Sequence, residues 1–329
     1  MTPSAYTLST MRFVFRADAS KSTGVGHVMR LIPLAEELIR RELYVVFVGD
    51  VSELHWLSNK LKSIAFVEVV PNPSHFKSNP EQDILILDSY EKEKNRSFIQ
   101  NNNWKFFVLI ADELTPKFEA DLVIHPGIGG KWIDSWDKPV LYGLSFVLIR
   151  NSLKEIERKF TSFSQPVIVI LPGGTDAFGI SDLIVTSMEK VNANFTCYIP
   201  SSTLKTDLDS RFIRFEFGNS IDKILGTCTG VISTASTTSM EIIFLNIPLA
   251  ILSVTKNQDD YYNSLVESNL VQPLGKFNGT SNINLSDNII DSFVKGNLEK
   301  FSKAILEKSL IDGLGAHRVA EAILDGIKY

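Results

Sequence analysis

Short, wholly apolar runs recur along this chain, and most are followed by a stretch with helical spacing. Residues 84–87 (ILIL), 106–110 (FFVLI) and 167–171 (VIVIL) offer no polar position at which a strand could face water. A strand that is apolar on both faces must be covered on both. Strands of that kind belong to parallel sheets wrapped by crossover helices. The alternation runs over most of the chain. Strands are expected at 12–16, 44–48, 66–70, 84–87, 106–110 and 122–124, then at 167–171, 195–199, 212–215, 230–233 and 248–253. Helices are expected at 27–41, 53–61, 94–101, 180–191, 220–228, 239–245, 259–268, 286–295 and 316–327, where apolar residues return at helical intervals.

The fold class is therefore α/β, built from two Rossmann-like lobes. A chain of 329 residues is long enough for about two domains. The polar stretch 151–165 divides the two series of elements. The N-terminal lobe is expected over 1–150 and the C-terminal lobe over 165–329. Open sheets of this kind bind ligands outside the carboxyl ends of their strands. Two such lobes are expected to turn those ends toward one cleft.

Composition excludes several classes. The net charge is -5, so no basic footprint points to nucleic acid. The two cysteines, Cys197 and Cys228, form no Cys-x-x-Cys pair, and the five histidines are scattered, so no metal site is expected. No apolar run approaches the roughly 18 residues of a membrane span. The first ten residues lack the basic and apolar regions of a signal peptide. They are expected to be a disordered extension, and the protein is expected to be cytoplasmic. An acidic protein that binds an anionic ligand must use local donors such as helix N-termini.

Four turns carry groups suited to such a ligand. The first runs from Arg16 to Arg30 (RADASKSTGVGHVMR) and joins a strand to a helix. Gly24 and Gly26 permit positive φ and close backbone approach. His27 lies on the first helical turn, and Arg16, Asp18, Ser20 and Arg30 crowd the same loop. Read alone, the segment also fits a tight βα turn with a surface histidine. It lacks the third glycine of a dinucleotide fingerprint. The second turn is Pro172-Gly173-Gly174-Thr175-Asp176, where adjacent glycines leave room for a phosphate and Thr175 can donate to it. No Gly-Lys-Ser/Thr follows, so it is not a P-loop, and a purely structural turn fits equally well.

The third turn, 233–239 (STASTTS), carries a hydroxyl at every position but one, with Glu241 a turn into the next helix. Helix capping accounts for some of these hydroxyls. A pyrophosphate at Ser236 and Thr237, with the ribose diol on Glu241, would use more of them. The fourth is Lys256-Asn257-Gln258-Asp259, which offers donors at a strand end and is also an ordinary solvated loop.

Taken in order, these segments resemble the UDP-sugar hydrolases of pseudaminic acid biosynthesis, whose relatives include the lipid II glycosyltransferase MurG, of the GT-B fold. The resemblance covers most of residues 11–329. Its most specific element is Arg16-x-Asp18-x-Ser20…Gly24-x-Gly26-His27-x-x-Arg30. Gly173-Gly174-Thr175-Asp176, Ser236 through Glu241 and Asn257-Gln258 resemble the nucleotide-binding turns. Residues 312–319 (DGLGAHRV) resemble the C-terminal signature, and Asp88-Ser89-Tyr90 a segment that often carries His where Ser89 stands.

The resemblance implies a GT-B fold and metal-free, cofactor-free hydrolysis of UDP-2,4-diacetamido-2,4,6-trideoxy-β-L-altrose. His27 would activate water, Tyr90 would orient the sugar or the water, and Asp18 would belong to the catalytic loop. A positive helix end and a nearby Arg30 or Arg16 would keep the imidazole neutral, as a general base must be. The competing reading is a GT-B glycosyltransferase that uses the same UDP-sugar donor. The basic and apolar patch of a lipid-acceptor transferase would then be expected on the first lobe, where only Arg40-Arg41 answers it. A third reading is a non-catalytic nucleotide-sugar binding protein.

Overall fold

The computed structural model describes residues 11–64, 67–89, 92–112, 118–128, 138–159, 162–173, 176, 178–216, 220–277, 287–308 and 311–327. The expected extension at 1–10 lies outside them, as do Tyr90, Gly174 and Thr175. The chain forms two compact units.

The first unit holds β1 (Arg12–Arg16), α1 (Gly26–Arg40), β2 (Tyr44–Val48), α2 (His55–Ser63), β3 (Val67–Val70), β4 (Asp83–Leu87), α3 (Lys92–Gln100), β5 (Phe106–Ile110), β6 (Leu122–Pro126) and β7 (Val140–Gly143). The strands form one parallel sheet in the order β3-β2-β1-β4-β5-β6-β7. The apolar runs do what their composition requires. Phe13, Phe15, Ile84 and Ile86 point into one core with α1. Their neighbours Val14, Leu85 and Leu87 point into a second, lined by Phe76, Phe98 and Phe107. The strand order reverses between β1 and β4, the kind of position at which open α/β sheets bind ligands at the carboxyl edge.

The second unit repeats the plan with β8 (Val167–Leu171), α4 (Ile180–Glu189), β9 (Thr196–Pro200), β10 (Phe212–Phe215), α5 (Ser220–Thr227), β11 (Gly230–Thr234), α6 (Thr237–Phe244), β12 (Leu249–Ser253), α7 (Asp259–Glu267) and β13 (Val271–Lys276). Its parallel sheet is ordered β10-β9-β8-β11-β12-β13, with the reversal between β8 and β11. Helices α8 (Asp287–Ser292) and α9 (Leu298–Lys308) follow, joined by the π-helical segment Phe293–Asn297.

Several elements depart from the sequence expectation. Strands β7 and β13 are not among the expected strands, since they are short or carry Pro273 and Gly275. A sheet tolerates such residues at its edge, where both strands lie. The helix expected to end at 295 instead passes Gly296 and Asn297 and continues as α9. The wide π turn keeps Phe293, Val294, Leu298 and Phe301 in one core.

The second-lobe boundary at 329 is corrected as well. Residues Gly313–Tyr329 belong to the first unit. Helix α10 (Gly315–Gly326) places Ala316, Val319, Ala320 and Ile323 in the core shared by α1 and β1. Burying Val319 and Ile323 is worth about 1.5–3 kcal/mol each, which favours this seat for the helix.

The segment 312–319 is built for that return. Gly313 has φ 76°. A Cβ on Gly315 would stand 2.1 Å from the Val147 carbonyl oxygen. Arg318 donates to Ser145 O at 2.9 Å. On the outer side Glu37 of α1 accepts from Arg40 at 2.7 Å, from Arg41 at 2.8 Å and from His317 at 3.2 Å. Burial works to raise the Glu37 carboxyl, but these bonds outweigh it and hold it at about 2.

Gly315→Ala is expected to lower stability by about 1–3 kcal/mol, because the new methyl meets backbone rather than a side chain that could yield. An unchanged denaturant midpoint would show that α10 does not seat this closely.

Candidate active site

In the first unit the reversal point gathers an ionic chain around one buried carboxylate. Asp88 follows β4 and is 1% exposed. Its Oδ1 lies 2.6 Å from His27 Nδ1. Arg30, one turn further along α1, donates Nε–H to Asp88 Oδ2 at 2.7 Å and Nη2–H to Oδ1 at 2.6 Å. The outer edge of the same guanidinium donates to Asp112, which lies two residues beyond β5, through Nη2 at 3.1 Å and through Nη1. His27 and Arg30 share a helix face because they are three residues apart. Asp88 and Asp112 share an edge because β4 and β5 are neighbours.

The electrostatics set the protonation states. Burial acts to raise the Asp88 carboxyl, but the charges of Arg30 and His27 outweigh it and hold it below the ordinary range. Burial likewise acts to lower the Arg30 guanidinium, and Asp112 and Asp88 together keep it protonated. An ionised carboxylate only accepts hydrogen bonds, so the imidazole proton sits on Nδ1. In the neutral ring Nε2 is then the nitrogen that carries the lone pair, which is the tautomer a carboxylate-oriented general base needs. Arg30 is occupied by two carboxylates, so it acts on His27 through Asp88 rather than directly, as the sequence had suggested. Asp112 was missed as a site residue, and Asp88 was quoted only as the start of the Asp88-Ser89-Tyr90 segment, without a role. The signal was present: each follows a wholly apolar strand at its carboxyl end.

The rest of the first loop is built to hold this edge. Arg16 is fully buried, donates to Asp18 at 2.7 Å, and lies 5.6 Å from the centre of the Phe98 ring. Asp18 also accepts the Asp50 amide at 2.8 Å. A Cβ on Gly49 would stand 1.7 Å from the Ala17 carbonyl oxygen, so the two strand ends close on each other there. The structure thus uses Arg16 and Asp18 to pin the loop. Ser20 Oγ accepts the Thr23 amide at 3.0 Å and meets Thr23 Oγ1 at 2.8 Å. Gly24 has φ 81°, whereas Gly26 opens α1 with ordinary helical backbone, so only the first glycine is needed for its φ.

In the second unit three turns leave the carboxyl ends of the neighbouring strands β8, β11 and β12. Gly173 has φ 115° and open space where a side chain would stand. Asp176 accepts the Ile180 amide at 2.8 Å and the Ser181 amide at 3.2 Å, so the start of α4 is capped by the chain's own carboxylate. A phosphate at this turn would have to bind ahead of Asp176.

The hydroxyl-rich turn divides in two. Ser233 donates to Leu171 O at 2.6 Å and Ser239 to Thr234 O at 2.9 Å, so both stitch the sheet edge. Ser236 is the N-cap residue of α6 yet makes no side-chain cap, and it is half-buried beside Thr237. Glu241 stands one turn into α6 and is half-buried. In the fourth turn Gln258 Oε1 accepts the Val254 amide at 3.0 Å, which fixes the turn, while Asn257 is exposed.

Two doubly wound parallel sheets in tandem are the architecture of the GT-B glycosyltransferases, and the chain has that fold. Acinetobacter baumannii MurG superposes with a TM-score of 0.64 at 10% identity, over 96% of this chain and 99% of that one. The spinosyn rhamnosyltransferase SpnG complexed with thymidine diphosphate gives 0.63 at 14% identity, over 94% and 100%. Medicago truncatula UGT71G1 complexed with UDP-glucose gives 0.64 at 11%, over 97% and 99%. No family model matches the sequence. An uncharacterized protein of Methanocaldococcus jannaschii is 22% identical over 293 residues, which is 79% of this chain. The chain spans 60% of the length of that relative.

Asp88→Asn is expected to cost about 3–5 kcal/mol, the range for breaking a buried ion pair from one side. The folded Asp88 carboxyl lies below its unfolded value. Its contribution is therefore complete above about pH 4 and is lost as the pH falls further. The variant should show a weaker acid dependence below that pH, measured by denaturant titration. An acid limb equal to that of the unaltered protein would refute the assignment.

Proposed function

We propose that this chain is a GT-B-type glycosyltransferase that takes a UDP-sugar donor and uses His27 as the base that deprotonates the acceptor. The observation that carries the reading is the Asp88–His27 pair, an oriented imidazole at the point where the strand order of a doubly wound sheet reverses. Transfer is favoured because the neighbours of like fold are named as transferases or hold nucleotides: a rhamnosyltransferase with thymidine diphosphate and UGT71G1 with UDP-glucose.

The donor is assigned to the second unit. The diphosphate takes the amides of the turn at Gly173, Gly174 and Thr175 and of the Ser236–Thr237 helix start. Glu241 accepts from the ribose diol, and Asn257 and Gln258 border the same edge. Amide donors stabilise the charge that develops on the departing UDP. Tyr90 and Arg30 stay with the first unit, Tyr90 to orient the nucleophile and Arg30 to hold Asp88.

A second reading replaces the acceptor by water. It rests on the likeness of the 16–30 loop and the 312–319 segment to the pseudaminic acid UDP-sugar hydrolases. One further observation favours it. Arg40 and Arg41, the basic patch that a lipid acceptor would use, are paired with Glu37, and Arg41 also with Glu321.

UDP release from a panel of UDP-sugars, with and without candidate acceptors, decides between the two. Release only with acceptor establishes transfer, release without it establishes hydrolysis, and no release with any sugar rejects both. His27→Gln is expected to lower turnover by about 100-fold or more while UDP still binds. Near-normal turnover would remove His27 from the base role. Glu241→Ala is expected to weaken UDP binding by about 1.5–3 kcal/mol in calorimetry. If only thermal stability changes, Glu241 serves the helix and not the ribose.

A further inference from the structure

The dyad does not stand alone. Arg30 is buried, and four of its five N–H groups are used, two on Asp88 and two on Asp112. Asp88 and Arg30 by themselves carry no net charge. If His27, which is half-buried, took a proton beside them, its positive charge would be only partly compensated, which is costly where water is partly excluded. Asp112 changes that balance. Counted over these described groups alone, two carboxylates face one guanidinium, and a protonated His27 would add the second positive charge.

Among the described residues, the other charged groups bordering this edge do not supply the same charge. Arg16 and Asp18 neutralise each other, and Lys21, Asp50 and Glu53 lie on exposed loops. Geometry points the same way. Asp112 holds the outer edge of the guanidinium, so the inner edge stays bidentate on Asp88 and the Asp88 Oδ1 stays under His27 Nδ1.

We propose that Asp112 is a positioning residue for the base: acting through Arg30 and Asp88, it provides the counter-charge that lets His27 accept the nucleophile's proton. The proton moves from the incoming hydroxyl or water to His27 Nε2. The nucleophile's electron pair forms the new bond at the anomeric carbon, and the bond to UDP breaks with its electrons on the phosphate oxygen. Asp112 touches none of these atoms. The inference rests on the reading of His27 as the base.

The test compares Asp112→Asn, which keeps the shape and loses the charge, with Asp112→Glu, which keeps the charge. The acidic limb of the pH–rate profile for UDP release should move to lower pH by about half a unit or more in Asp112→Asn. The plateau rate should fall by about 10-fold, KM for the donor should stay within about twofold, and Asp112→Glu should restore the limb. A purely structural role would change thermal stability without moving the limb.

A second arm needs no turnover. The His27 ring is titrated by NMR in the free protein, and its midpoint should move down in Asp112→Asn and return in Asp112→Glu. If no UDP-sugar is cleaved, the functional reading fails while this arm still judges the relay. Coincident titrations in the unaltered protein and Asp112→Asn would overturn the proposal. So would failure of both variants to fold, which would mark Asp112 as structural.

Discussion

The Asp88 carboxylate is the interaction on which the candidate site depends. It is buried, ionised and shared between an imidazole and a guanidinium on the same helix. An isolated carboxylate there would be protonated or would disrupt the fold, since desolvating a charge without partners is too costly. Arg30 makes the ionised form tolerable, and the ionised form fixes the tautomer of His27. The helix that carries both residues is in turn held at its far end by Glu37, which binds Arg40, Arg41 and His317 of the returning C-terminal helix. The position of the base is thus set by contacts at both ends of α1.

The second unit shows a different use of polar groups. Its turns are rich in hydroxyls, but burial sorts them. Ser233 and Ser239 satisfy backbone carbonyls at the sheet edge, where unpaired polar groups would be expensive. Ser236 and Thr237 stay half-buried at a helix start that no side chain caps. The carboxylate of Asp176 closes the neighbouring helix start by itself. A hydroxyl-rich sequence therefore does not translate directly into a ligand site, and only some of its members remain available for one.

Most of the architecture was legible in the residues. Wholly apolar strands such as 84–87 and 167–171 demand cover on both faces, and that demand leads to parallel sheets. What failed followed from local signals that tertiary packing overrode. Pro273 and Gly275 argue against a strand, yet an edge position accepts them. Gly296 and Asn297 argue for a helix end, yet a π turn carries the apolar face across. Within the site, His27 and Arg30 were visible because a turn and a helix start announce themselves locally. Asp112 stands after an apolar strand, but its pairing with Arg30 was not visible, because the two lie 82 positions apart in sequence.

By itself the sequence determined the fold class, the two series of βα units and the loop that bears the histidine. These follow from residue periodicity and from glycines, which act over a few neighbouring positions. Only the tertiary structure decided that residues 313–327 pack with the first unit, that Arg16 and Asp18 pin a loop, and that Asp88 and Asp112 flank Arg30. The reason is the same in each case. These outcomes depend on which strands are neighbours in the sheet and on which apolar face finds a core, and strand order is not written in any local stretch of residues.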